Sequence, residues 1–221
     1  MKATHAIEVW DGPTRLFHWL LVALLGFSWW SAETGQMEWH RLSGIVLLGL
    51  LLFRLIWGFI GGSTARFASF VRSPRGVMTY LRADPAAPRT TGHNPLGGYS
   101  VLAMLLLLTA QIGTGMFAVD IDGRESGQLS YLVTFGQGRA AAEIHLLVFT
   151  LLQVAAALHI AAILFYLFVH KRNLIGPMVT GTEPEPDASQ SALISASLIH
   201  LALAAGVAAA LAWWAAQGFT L

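Results

Sequence analysis

Apolar residues fall into five long blocks separated by polar stretches: approximately Leu16–Ser31, Trp39–Ile60, Gly97–Val119, Glu143–Val169 and Ala192–Ala216. About 17–25 predominantly apolar residues suffice for a helix to cross a bilayer. A backbone in lipid must satisfy its own hydrogen bonds, so each block predicts a helix. The first is the shortest. The expected fold is an all-α integral membrane protein, with a four-helix bundle over residues 1–181 and a fifth C-terminal transmembrane helix over 192–221. Residues 182–191, acidic and containing two prolines, read as a flexible linker. The loop from Gly61 to Pro95 is rich in Arg, Pro and Gly. Within it, Val71–Arg82 predicts a short interfacial helix, with Phe70, Val77, Met78 and Tyr80 at the headgroups.

Composition agrees with a lipid environment. Hydrophobic residues make up 55% of the chain and charged ones 11%, against about 25% charged in soluble domains. The formal charge of +1 gives no reason to expect a nucleic-acid partner. Cysteine is absent, which excludes disulfides, iron–sulfur clusters and covalently attached c-type haem. Glu8, Asp11 and Arg15 precede the first apolar block, unlike a cleaved signal peptide, so that helix is expected to stay in the mature protein.

Charge placement predicts orientation. Arg66, Arg72, Arg75, Arg82 and Arg89 follow the second block, Lys171 and Arg172 follow the fourth, and Lys2 and Arg15 precede the first. The opposite side carries Arg41, Arg124 and Arg139 among six acids: Glu33, Glu38, Asp120, Asp122, Glu125 and Glu143. The positive-inside rule puts the N-terminus in the cytoplasm and the C-terminus in the periplasm of a bacterial inner membrane.

Four histidines then take definite depths. His145 and His159 lie fourteen residues apart in the fourth block, which is about 21 Å of helix and within roughly 40° of four whole turns. Both imidazoles therefore leave one helix face near opposite edges of the bilayer core. His18 opens the first block from the cytoplasmic side, and His40 opens the second from the outside. Depth pairs His40 with His145 and His18 with His159. Each pair offers two neutral imidazole nitrogens to one haem iron, so the bundle is expected to bind two haems. No carboxylate or thiol accompanies either pair, which argues against another metal. A single intramembrane histidine is also compatible with a merely buried polar group; four at two matched depths are not easily explained that way.

Arg54 lies fourteen residues after His40 and returns to the same face. A guanidinium there needs an anion, and a haem propionate supplies one; snorkelling to headgroups is the alternative. Arg41 beside His40 and Arg15 near His18 are further propionate candidates. Gly44, Gly49, Gly113 and Gly115 are positions where a flat macrocycle could approach the backbone, or where helices pack. Trp19 and Trp39 adjoin the ligand candidates. His93 and His170 read either as quinone partners or as solvated loop residues, and His200 as no ligand.

The chain resembles the bacterial cytochrome b-561 family, which also contains the cytochrome b subunits of nickel–iron hydrogenases. The resemblance lies in Val9–Trp19 (VWDGPTRLFHW), Trp39–Gly44 (WHRLSG), Phe53–Gly58 (FRLIWG), Gly92–Pro95 (GHNP), Ile144–His159 and Lys171–Gly181 (KRNLIGPMVTG). It implies a four-helix core holding two b haems through histidines on the first, second and fourth helices, which by matching motif are His18, His40, His145 and His159. It further implies electron transfer between a periplasmic c-type cytochrome or other redox protein and a quinone. The fifth helix lies outside the similar region. Two other readings remain at this point: a superoxide:quinone oxidoreductase, and a cofactor-free membrane scaffold. An electron-transfer subunit is expected over a stand-alone enzyme.

Overall fold

The computed structural model describes residues 5–82, 92–185 and 193–219. Lys2 and Arg89 of the charge reading lie outside the described residues. The long helices are α1 (Gly12–Glu33), α2 (Met37–Ile60), α5 (Pro95–Phe117), α6 (Phe135–Phe168) and α8 (Leu198–Ala216). Short helices α3 (Phe67–Phe70), α4 (Pro74–Arg82) and α7 (Ile175–Thr180) lie between them. A two-stranded antiparallel ribbon joins β1 (His5–Glu8) to β2 (Thr182–Glu185).

Side-chain caps set most of the long-helix starts. Asp11 accepts from the Thr14 amide, Asn94 from Gly97 and Ser197 from His200, each satisfying an N–H that the helix cannot. Thr134 and Gln137 form a reciprocal capping box. That box starts α6 at Phe135, eight residues before the apolar block at Glu143, and gives a helix of 34 residues. The Ser197 cap likewise starts α8 at Leu198 rather than Ala192. Pro74 disfavours helix at the residue before it, so the expected interfacial helix over Val71–Arg82 starts only at Pro74, as α4, with α3 before it. Phe70 is buried, not at the headgroups, while Met78 is exposed.

Among the described residues, α2, α5, α6 and α8 are long and apolar enough to cross a membrane. The fold is that of a mostly helical membrane protein. Helix α1 has 22 residues but is not among those four; Arg15, His18, Ser28, Ser31 and three tryptophans along it dilute its apolarity. It packs along α2, and α5 packs along α6. Phe17, Leu47, Leu51, Leu105, Leu108 and Ile112 form the core where α1, α2 and α5 meet.

Helix α8 lies against α2 through a row of buried alanines, Ala204, Ala208 and Ala212. Four-residue spacing places them on one face, and small side chains let the helices approach closely. Ala212 Cβ comes within 3.4 Å of a methyl built on Gly49, so Gly49 serves helix packing.

The start of the expected linker is a strand: Thr182–Glu185 pairs with His5–Glu8. The rest of that linker, 186–191, is outside the described residues. Gly181, at φ +90°, turns the chain out of α7, a backbone conformation that only glycine adopts freely. Its carbonyl accepts from Val9 and Trp10 at 2.8 and 3.1 Å. Arg172 and Glu183 add a bidentate ion pair at 3.0 and 3.2 Å, tying the end of α6 to the ribbon.

Candidate cofactor site

His40, in the first turn of α2, and His145, two to three turns into α6, come together, both half-buried. Their ring centroids are 6.1 Å apart and their planes nearly perpendicular, at 89°. His40 Nδ1 lies 2.9 Å from the Ser28 carbonyl on α1, and His145 Nδ1 lies 2.8 Å from the Gln111 carbonyl on α5. A carbonyl only accepts, so each Nδ1 donates and each Nε2 keeps its lone pair. Nδ1–H on a backbone carbonyl is the usual outer contact of a metal-ligating histidine. Two metal–nitrogen bonds of about 2 Å each, with about 1 Å from nitrogen to ring centre, would put the centroids roughly 6 Å apart. The donor set fits an iron held by two imidazoles.

Glycines shape the surroundings. A methyl built on Gly115 would lie 2.8 Å from His145 Cε1, whereas Gly44 and Gly113 face open space.

The other two histidines are half-buried. His18 and His159 are close enough to interact as charges, and His18 Nδ1 is buried with no hydrogen-bond partner among the described residues. Helices α1 and α6, which carry them, make few close backbone contacts with each other. That separation leaves room for a flat group between their side chains. Arg54 is buried, 3% exposed, and lies over the Phe67 ring at 5.1 Å. Its Nη1 is also without a partner among the described residues. The nearby carboxylate of Asp11 is committed elsewhere, accepting from Thr14 N, Trp57 Nε1 and Gly62 N at 2.8, 3.1 and 3.3 Å. An anion beside Arg54 would complete a site that the protein leaves electrostatically open.

The other arginines are less free. Arg41 forms an ion pair with Glu125. Arg15 donates through Nη1 to the Val179 carbonyl at 2.6 Å, leaving its Nε buried and unpartnered among the described residues. Trp19 stands edge-on to His18 at 5.0 Å and donates to the Met178 carbonyl. His93 packs between Trp10 and Phe70 at 4.6 and 4.7 Å. Burial, with the Arg54 guanidinium as a positive neighbour, holds its pKa down at about 3. It is therefore neutral at physiological pH. His170 is exposed and lies against Tyr166 and Phe165, and His200 bonds Ser197 in the first turn of α8.

Gln111, Ser28 and the Tyr80–Tyr166–Asn94 cluster have no counterpart in the sequence reading. Asn94 donates to the Tyr166 hydroxyl at 3.0 Å. Tyr80, beside Tyr166, is pushed up to about 12 by burial and by that hydroxyl. The GHNP motif was the one available signal, since it holds Asn94.

Apolar helices thus carry a histidine pair with bound Nδ1 atoms and free Nε2 lone pairs, a donor set that fits a metal-centred group. Residues 9–181 match the prokaryotic cytochrome b561 family, and the chain belongs to that family: it is a membrane b-type cytochrome of electron transfer. It is also similar to a probable Ni/Fe-hydrogenase B-type cytochrome subunit of Azotobacter chroococcum mcd 1. The two are 24% identical over 210 residues, covering 80% of this chain and 88% of the relative. No solved structure matches the chain.

Proposed function

We propose that this cytochrome holds two b haems, one through His40 and His145 and one through His18 and His159, and passes electrons across the bacterial inner membrane. The observation that carries the reading is the His40–His145 pair, 6.1 Å apart with both Nδ1 atoms on backbone carbonyls. Haem supplies reversible one-electron chemistry at iron, tuned by its axial ligands and burial. The Ser28 and Gln111 carbonyls hold the outer imidazoles in the Nδ1–H tautomer. Arg54 neutralises negative charge at the inner level. With His40 and His145 on one iron and His18 and His159 on the other, the four imidazoles would leave no position at iron for a substrate.

The exchange runs between a redox protein at the periplasmic face and quinone in the bilayer. The hydrogenase-subunit relative supports a redox enzyme as that partner; a c-type cytochrome is the alternative. The basic loops support a cytoplasmic N-terminus. Five spans, counting α1, put the C-terminus outside, with residues 1–181 as the haem domain and α8 as an addition to it. Superoxide:quinone oxidoreduction is the weaker reading. It needs free positive charge at the outer level, and Arg41 is paired with Glu125.

A short-chain quinol added to purified, oxidised protein in detergent is the test. Appearance of the reduced b-haem spectrum is the expected result. A protein that dithionite reduces but no quinol does would contradict the quinone assignment.

A further inference from the structure

Gln111 contacts both nitrogens of the His145 ring. Its backbone carbonyl takes the Nδ1 proton at 2.8 Å, and its side-chain nitrogen lies 3.0 Å from Nε2. Because Nδ1 carries the hydrogen, Nε2 presents a lone pair and the amide must be the donor. The reverse amide orientation would set oxygen against that lone pair. This fixed orientation leaves Gln111 Oε1 buried with no hydrogen-bond partner among the described residues. His40 differs: its hydrogen bonds among the described residues, to Ser28 O and Oγ, are both at Nδ1. Thr114 Oγ1 also approaches His145 at Nδ1, at 3.4 Å, and so leaves Nε2 alone.

We propose that the Gln111 side-chain amide and haem iron are alternative partners for the same lone pair on His145, making Gln111 a residue that weakens retention of the outer haem. Ligation breaks the N–H···Nε2 hydrogen bond and forms the iron–nitrogen bond. No proton is lost, because Nε2 carries none. The amide that helps hold the imidazole in its ligating tautomer therefore also opposes ligation. The Gln111 carbonyl, which orients the ring, is untouched by the exchange. Among the described residues the other nitrogen of His40 carries no such competitor, so the asymmetry lies on the α6 side. The inference rests on the reading that His40 and His145 hold a haem.

Haem partition tests it. Purified holoprotein in detergent is equilibrated with excess apomyoglobin, and the haem each retains is read from the Soret spectrum. Gln111→Leu removes the amide and keeps the carbonyl. One hydrogen bond of ordinary net strength corresponds to about a fivefold change, so retention of the outer haem should rise about fivefold. Gln111→Asn, whose amide is too short to reach Nε2, should shift it the same way and serves if the leucine variant fails to fold. Unchanged or weaker retention in a folded variant overturns the competition. His145→Ala is measured alongside: if it keeps the full haem content, the ligand assignment itself fails, which is a separate result.

Discussion

Gly115 on α5 and His145 on α6 are matched in size: the imidazole lies where a side chain at Gly115 would be, 2.8 Å from the position of its Cβ. Two glycines two residues apart thus have different tolerances. Gly115→Ala is expected to push His145 off its position and remove about half of the bound haem. Gly113→Ala, facing open space, should leave haem content unchanged. Absorbance at the Soret peak per mole of protein distinguishes the two, and equal effects would sever the link between Gly115 and the site.

Arg54 buries a positive charge in the bundle, and its Nη1 has no hydrogen-bond partner among the described residues. A nearby cation disfavours the ferric form, which carries one more positive charge than the ferrous. Arg54→Met is therefore expected to lower the midpoint potential of one haem, on the order of tens of millivolts, and to leave the other nearly unmoved. A spectroelectrochemical titration checks this. A shift of equal size in both haems would show that Arg54 acts on the fold as a whole.

Asp11 joins the start of α1 to the end of α2, through Thr14 N, Trp57 Nε1 and Gly62 N. Asp11→Ala removes a helix cap, worth about 1 kcal/mol, and leaves two further buried donors unpaired, at about 1–3 kcal/mol each. The sum predicts a loss of roughly 3 kcal/mol or more, read as a clear fall in melting temperature in detergent. Asp11→Asn should fall between the two proteins, because its side-chain oxygen still accepts.

His93 has a pKa of about 3 in the folded chain, below its unfolded value of about 6.5. Between those values the unfolded chain binds one more proton than the folded one. Stability from this group is thus full above about pH 6.5 and declines as pH falls toward 3. His93→Gln removes that contribution, so its melting temperature should fall less steeply between pH 7 and pH 5 than the parent's. Parallel slopes would show that His93 does not stay neutral.

Much of this site could be read from spacing alone. Histidines on long apolar helices have depths fixed by helical rise, which is why His40 and His145 could be paired before their contact was known. Hydropathy found the long helices but not their ends: Gln137, Arg139 and Glu143 are polar, so the extra turns of α6 show only through the Thr134–Gln137 capping box. Gln111 escaped notice because one neutral amide in an apolar run has no periodic signature. The fate of Arg41 depended on Glu125, 84 positions away, and the β1–β2 ribbon joins residues nearly the whole chain apart. Such pairings are set by tertiary closure, not by local pattern.

The central claim is two b haems, each between two imidazoles. A pyridine haemochrome assay on purified protein, repeated on His159→Ala, tests it most directly. The account predicts about two b haems per chain in the parent and about one in the variant, that one keeping a low-spin spectrum from the His40–His145 site. A parent with a single haem, or a His159→Ala protein that keeps both, would contradict it.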